Sequence, residues 1–205
     1  LNNELLPFIV SGQAGSACLI GPVVVSAIYV SNSFLKPLTD HISNVSESLI
    51  KENIEAIVPV ETVVISAERY NSILLEGKSK DEILRWLHGR AIKNMLNCYP
   101  DTVAVYLGQG APYDELSANL QDIFPQLTVT DAKDCNKNAV IAARLSAGRA
   151  WKRKLNDLIE NNGDLRTIQF QLPLSEMIES KLRSIARNMN QRLSVSIFKT
   201  DLLNK

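Results

Sequence analysis

The chain has 205 residues, 45% of them apolar and 21% charged, with 22 Lys+Arg matched by 22 Asp+Glu. That length suits one large domain and the apolar share suffices for a buried core, so global disorder is excluded; a net charge of zero also excludes nucleic-acid binding by overall basicity. The zero is unevenly built, because residues 1–134 hold 16 acids and 9 bases whereas residues 135–205 hold 6 acids and 13 bases.

Cys18, Cys98 and Cys135 are odd in number, widely spaced and free of any C-x-x-C pair, which argues against a disulfide framework or zinc knuckle and for a reducing, cytoplasmic setting. The longest apolar stretch, Cys18 to Val30, is interrupted by Gly21-Pro22 and falls short of the roughly 20 residues that span a bilayer, so no membrane association is expected. The chain starts at Leu1 rather than Met, and nothing after it has the basic-then-apolar layout of a signal peptide.

In chain order, Leu5–Ser11 and Pro22–Ser31 are β-branched or apolar runs separated by Gly12, Gly15 and Gly21, which predicts two strands with a Gly-rich connection. A polar helical stretch is predicted between Pro37 and Asn53, then a third strand within Ala56–Ser66. Ile83, Leu84, Leu87, Ala91 and Met95 recur at helical spacing and predict a helix over Asp81–Leu96. Val103–Leu107 reads as a buried strand ending at Gly108-Gln109-Gly110, and Leu127–Thr130 as another. Two long helical patterns follow, Lys137–Ile159 and Ser175–Arg192, punctuated by Asn161-Asn162-Gly163 and Pro173. The expected class is α/β: a central mixed sheet flanked by helices, with helices at the C-terminal end.

The glycines of Gly12-Gln13-Ala14-Gly15-Ser16 match neither phosphate-loop spacing, and a strand rather than a helix follows, which favours a tight strand connection. His41 and His88 lack partners at metal-ligand spacing, and His88, beside the apolar stripe of its helix, reads as a satisfied structural histidine. No G-x-S-x-G elbow supports a serine hydrolase. Asp131 and Asp134 close a strand ahead of a long helix, a position open to a metal ligand but better explained as a helix-capping acid. Along that helix Arg149, Lys152 and Arg153 stand at i, i+3, i+4, with Lys137, Arg144 and Lys154 nearby; they form either a solvated face or a phosphate-facing ridge. Trp151 falls on the Val140, Ala143, Ala147 side and reads as core rather than as a base-stacking platform.

Several segments together resemble the type 2 ribonuclease H family, ribonuclease HIII in particular. VSGQAGSACLIGP at Val10–Pro22 is similar to the family signature GSDEVGTGDYFGP, and FLKPLTD at Phe34–Asp40 to DSKKLTD. PVETVVISAERYNS from Pro59, WLHGRAIKNML from Trp86, VYLGQGA at Val105–Ala111 and KDCNKNAVIAARLSAGRAW at Lys133–Trp151 follow the family in order and almost without gaps. The resemblance implies a ribonuclease H-like domain over residues 1–160 and a helical extension over 161–205 packed on the same domain.

The family chemistry is two-metal hydrolysis, with Mg or Mn, of the RNA strand in RNA/DNA hybrids, held by four carboxylates. Carried across, these positions fall on Gly12, Gln13, Gly108 and Asp134, so Asp134 alone is retained. Paired divalent ions need bridging anionic oxygens, which glycine lacks and a neutral amide supplies poorly. The resemblance therefore implies a degenerate site with no catalytic residues and no bound metal. The leading expectation is an inactive, nucleic-acid-binding module for hybrid or duplex, using Gly15, Ser16, Lys137, Arg149, Lys152 and Arg153, with Arg183 and Arg187 beyond them. Two alternatives stand beside it. One is a scaffold that docks a protein partner through the C-terminal stripe Ile178, Leu182, Ile185, Met189, Leu193; the other is residual nuclease activity resting on Asp131 with Asp134.

Overall fold

The computed structural model describes residues 5–18, 20–43, 54–108, 110–161 and 199. The expected helix over Ser175–Arg192, its apolar stripe, Arg183 and Arg187 lie outside the described residues, as does nearly all of the expected 161–205 extension.

Among the described residues the strands are β1 (Phe8–Ala14), β2 (Val23–Val30), β3 (Val60–Ile65), β4 (Ala104–Leu107) and β5 (Thr128–Asp131). The α-helices are α1 (Asn32–Ser43), α2 (Ala67–Leu75), α3 (Lys80–Cys98), α4 (Tyr113–Ile123) and α5 (Lys137–Glu160). They build a five-stranded sheet of order β3-β2-β1-β4-β5. β2 runs antiparallel to both β1 and β3, while β1, β4 and β5 are parallel. The mixed α/β architecture expected from the sequence is the one observed.

All eight residues of β2 are buried because both faces of the sheet are covered, which is why this strand reads as a nearly continuous apolar run, broken only by Ser26, rather than an alternating one. One face carries α3 and packs Ile9, Val23, Val25, Val105 and Leu107 against Leu84, Leu87, Ala91 and Met95. The other packs Phe8, Val10, Ile28 and Tyr106 against α1 and the alanines Ala139, Ala142 and Ala143 of α5. α3 starts on a capping box in which Glu82 N donates to Ser79 Oγ at 3.1 Å and Ser79 N donates to Glu82 Oε2 at 2.8 Å.

Three expectations need correction. The helix placed after Pro37 starts at Asn32 and contains Pro37 inside its second turn, with residues 44–53 outside the described set. The first strand is displaced towards the glycines and runs on to Ala14, because Gly12 and Gln13 pair with Ser26 and Val25 of β2. The acid expected to cap α5 does not: Asn136 Oδ1 accepts from Asn138 N at 3.0 Å and Ala139 N at 3.3 Å, while Asp131 caps the short 3₁₀ turn Ala132–Asp134 through Lys133 N at 2.8 Å.

Candidate functional site

Successive residues of a strand point to opposite faces of the sheet, and β1 uses that rule to split the candidate site in two. Phe8, Val10 and then Gly12 face α5; Ile9, Ser11 and Gln13 face α3. The parallel pairing of β1 with β4 sets Gly108 beside the same stretch, where Gly108 N donates to Ser11 Oγ at 3.3 Å.

On the α5 side, backbone meets backbone. A Cβ built on Gly12 would lie 2.7 Å from both Ala143 C and Arg144 N, and one on Gly108 would collide with the Ser11 carbonyl oxygen. The alanine stripe of α5 permits this approach, since neither the helix nor the strand interposes a side chain longer than a methyl group. The Gly15 turn is covered in turn by the indole ring of Trp151, which is 1% exposed, so Trp151 belongs to the core and offers no face to a base.

On the α3 side lies a chain of hydrogen bonds. His88 is fully buried, its Nδ1 is 2.9 Å from Ser11 Oγ and its Nε2 is 3.2 Å from Gln13 Oε1. The amide oxygen can only accept, which fixes the proton on Nε2 and makes Nδ1 the acceptor of the Ser11 hydroxyl proton. Gly108 N then donates to Ser11, Ser11 to His88, His88 to Gln13, and Gln13 Nε2 to Ser16 Oγ at 3.2 Å. Burial pushes the His88 imidazole down to about 4, so it is neutral at pH 7. Histidine spacing in the sequence correctly marks His88 as structural; that its partners are Ser11 and Gln13 follows only from packing α3 on β1.

The remaining candidates are dispersed. Asp134 is exposed at the end of its 3₁₀ turn, which packs against β4, and Asp131 is engaged with Lys133 N. Lys152 and Arg153 are exposed on α5, Arg149 is half-buried, and Lys154 lies 3.7 Å from Asp157. Lys137 precedes Arg149 by twelve residues, about 18 Å along the helix, so it stands apart from that ridge. Cys18, Cys98 and Cys135 form no disulfide with one another. Among the described residues, no helix is long and apolar enough to cross a membrane.

No protein-family model matches the chain. A ribonuclease HIII of Chlamydia pneumoniae is 24% identical over 213 aligned residues, covering 98% of this chain and 69% of that protein. A crystal structure of Bst-RNase HIII in complex with Mn²⁺ superposes with a TM-score of 0.75 at 19% identity, over 96% of this chain and 67% of that one. The Archaeoglobus fulgidus RNase HII, solved in a complex with PCNA, superposes with a TM-score of 0.71 at 19% identity, over 95% of both chains. Along nearly its whole length the chain is similar to ribonuclease HIII, and it shares the fold of solved ribonucleases HIII and HII. Its sheet and flanking helices are the ribonuclease H-like fold. The positions onto which the sequence resemblance carries the family carboxylates are the ones just described: Gly12 under α5, Gly108 against Ser11, Gln13 hydrogen-bonded to His88 and Asp134 at the surface.

Proposed function

We propose that this chain is a ribonuclease HIII-like pseudoenzyme of the cytoplasm that binds RNA/DNA hybrid or duplex nucleic acid without cutting it. The observation that carries the reading is the close approach at Gly12, where the atoms of α5 lying 2.7 Å from a Cβ are backbone atoms that no rotamer change can move. The family's first carboxylate is thus missing as a group and its volume is filled as well. Nor do the remaining residues fit a pair of divalent ions: Gln13 spends its amide oxygen on His88, and among the described residues no group of three His, Cys, Asp or Glu side chains is arranged to hold a metal. Binding rests on the exposed cations of α5, Arg144, Lys152 and Arg153, which face solvent with no acid between Cys135 and Asn156 to oppose phosphate.

The test is electrophoretic mobility of RNA/DNA hybrid, duplex DNA and duplex RNA over a salt series, with Mg²⁺ or Mn²⁺ present. Retardation without cleavage is expected, with affinity falling as salt rises by a log–log slope of about −0.9 per phosphate contacted. Lys152→Glu with Arg153→Glu should abolish retardation at salt concentrations where the parent still binds. Absence of retardation at low salt removes the binding reading. Metal-dependent hybrid cleavage that vanishes in Asp134→Asn removes the pseudoenzyme reading. Millimolar Mg²⁺ should leave the melting temperature essentially unchanged.

A further inference from the structure

Away from α5, on the opposite face of the sheet, a groove of about 990 Å³ is bounded by the end of β3, α2, α3 and α4. Its apolar lining includes Trp86, 57% exposed in mid-helix, with Ile123 (57%) and Val64 (40%) also open to solvent and Ile73 between them in the lining. Exposed large apolar side chains gathered in one concave surface are a mark of an interaction site.

The charges along the groove are not evenly satisfied. Arg69 pairs with Glu76 at 3.2 Å, Lys78 with Glu82 at 3.1 Å, and Arg85 with Glu115. Arg90 and Lys93, one and two turns beyond Trp86 on the same side of α3, are exposed and have no carboxylate partner among the described residues. One end of an otherwise neutralised groove therefore carries two uncompensated cations beside an indole, although it lies in the part of the chain that is acidic overall.

We propose that this groove receives an amphipathic segment of a partner protein, with apolar side chains seated on Trp86, Val64 and Ile123 and carboxylates over Arg90 and Lys93. Nucleic acid suits it poorly, because Arg69, Lys78 and Arg85 are engaged by Glu76, Glu82 and Glu115, which leaves only Arg90 and Lys93 of the described groove cations for a phosphate backbone. The chain's own residues 162–205 carry 7 bases and 4 acids, the wrong sign for that cationic end. A helix-in-groove mode matches an apolar lining that offers area rather than hydrogen-bond readout.

The chain provides its own reporter. It has two tryptophans; Trp151 is buried, so iodide quenching of fluorescence reads Trp86. A display library of helical peptides of about 16 residues, panned on the full chain, should enrich sequences with apolar residues at i, i+3/i+4 and i+7 and a cluster of acids. A synthesised member should shield Trp86 from iodide and shift its emission to the blue. Trp86→Ala, and separately Arg90→Glu with Lys93→Glu, should each weaken it by about tenfold or more while leaving the melting temperature in place, since all three residues are exposed. Saturating RNA/DNA hybrid bound through α5 should not displace it. The proposal is overturned if no peptide is enriched over an unrelated chain, if charge reversal leaves affinity unchanged, or if hybrid alone shields Trp86. It is overturned equally if the chain alone forms a dimer that Ile123→Asp dissolves, which would assign the groove to a second copy. These readouts are separate from retardation of hybrid through Lys152 and Arg153, so either reading can fail without the other.

Discussion

The two faces of β1 treat the positions that the resemblance matches to family carboxylates in different physical ways. Towards α5, glycines stand at 12 and 108, and helix backbone or a neighbouring carbonyl occupies the room a side chain would need. Towards α3, Gln13 presents an oxygen of nearly carboxylate shape without the charge, and a buried neutral imidazole bonds it at 3.2 Å. Missing volume and missing charge are different obstacles to a carboxylate, and the first is far harder to remove. Packing adapts around a missing side chain until the backbone itself is in the way, whereas a satisfied amide can be exchanged for a carboxylate with little change of volume.

That contrast can be broken by experiment. Gly12→Asp should be the most damaging single change, because it forces α5 off the strand and buries a charge; a loss of about 3 kcal/mol or more, hence a melting temperature lower by roughly 6–12 °C, is expected in thermal unfolding. A variant that melts within a degree or two of the parent would show that α5 yields easily and that the face is open after all. For the same reason, introducing carboxylates at 12, 13 and 108 together is expected to unfold the chain rather than to give it nuclease activity.

Next comes His88. His88→Ala leaves a cavity and strands Ser11 and Gln13, at a cost of about 2–4 kcal/mol in urea unfolding. The histidine also sets a pH dependence. Its folded value of about 4 lies below the ordinary 6.5 of the unfolded chain, so between these limits the unfolded state takes up the proton first. The contribution of neutral His88 is complete above pH 6.5 and disappears as the pH falls to 4, on the order of 3 kcal/mol in all. Unfolding free energy followed from pH 7 to pH 4 should show this slope in the parent and lose about one proton's worth of it in His88→Gln.

Gln13→Glu should cost less than either, about 1 kcal/mol, because the volume is unchanged and the new carboxylate favours a protonated His88. The imidazole titration followed by NMR should move upward from about 4; a downward move would mean that Gln13 is not its partner. Smallest of all, Lys152→Ala with Arg153→Ala should alter stability by less than about 0.5 kcal/mol, since both side chains are solvated, and any larger loss would make the α5 ridge structural rather than a binding face.

Much of this fold was legible in order along the chain. The period of α3, the largely apolar runs of β2 and β4 and the length of α5 are local signals, and each survives in the structure within a few residues. α2 and α4 were not anticipated. α2 has nine residues and leaves Leu75 85% exposed, so no apolar stripe announces it, and α4 follows Pro112, which supplies no side-chain cap. The capping of α5 was misassigned because Asp131, Asp134 and Asn136 are all competent caps by composition, and only the intervening 3₁₀ turn decides among them.

For the uneven charge and the lack of a carboxylate at 12, 13 and 108, the sequence was sufficient, since residue identity alone states what a side chain can ligate or repel. What lies opposite each of those residues is a different matter. Gly12 and Ala143 are 131 positions apart, and Gln13 and His88 are 75. Whether such a pair meets as backbone on backbone or as amide on imidazole depends on which face of β1 each helix covers, and that is decided by the burial of two separate cores on the two sides of one sheet.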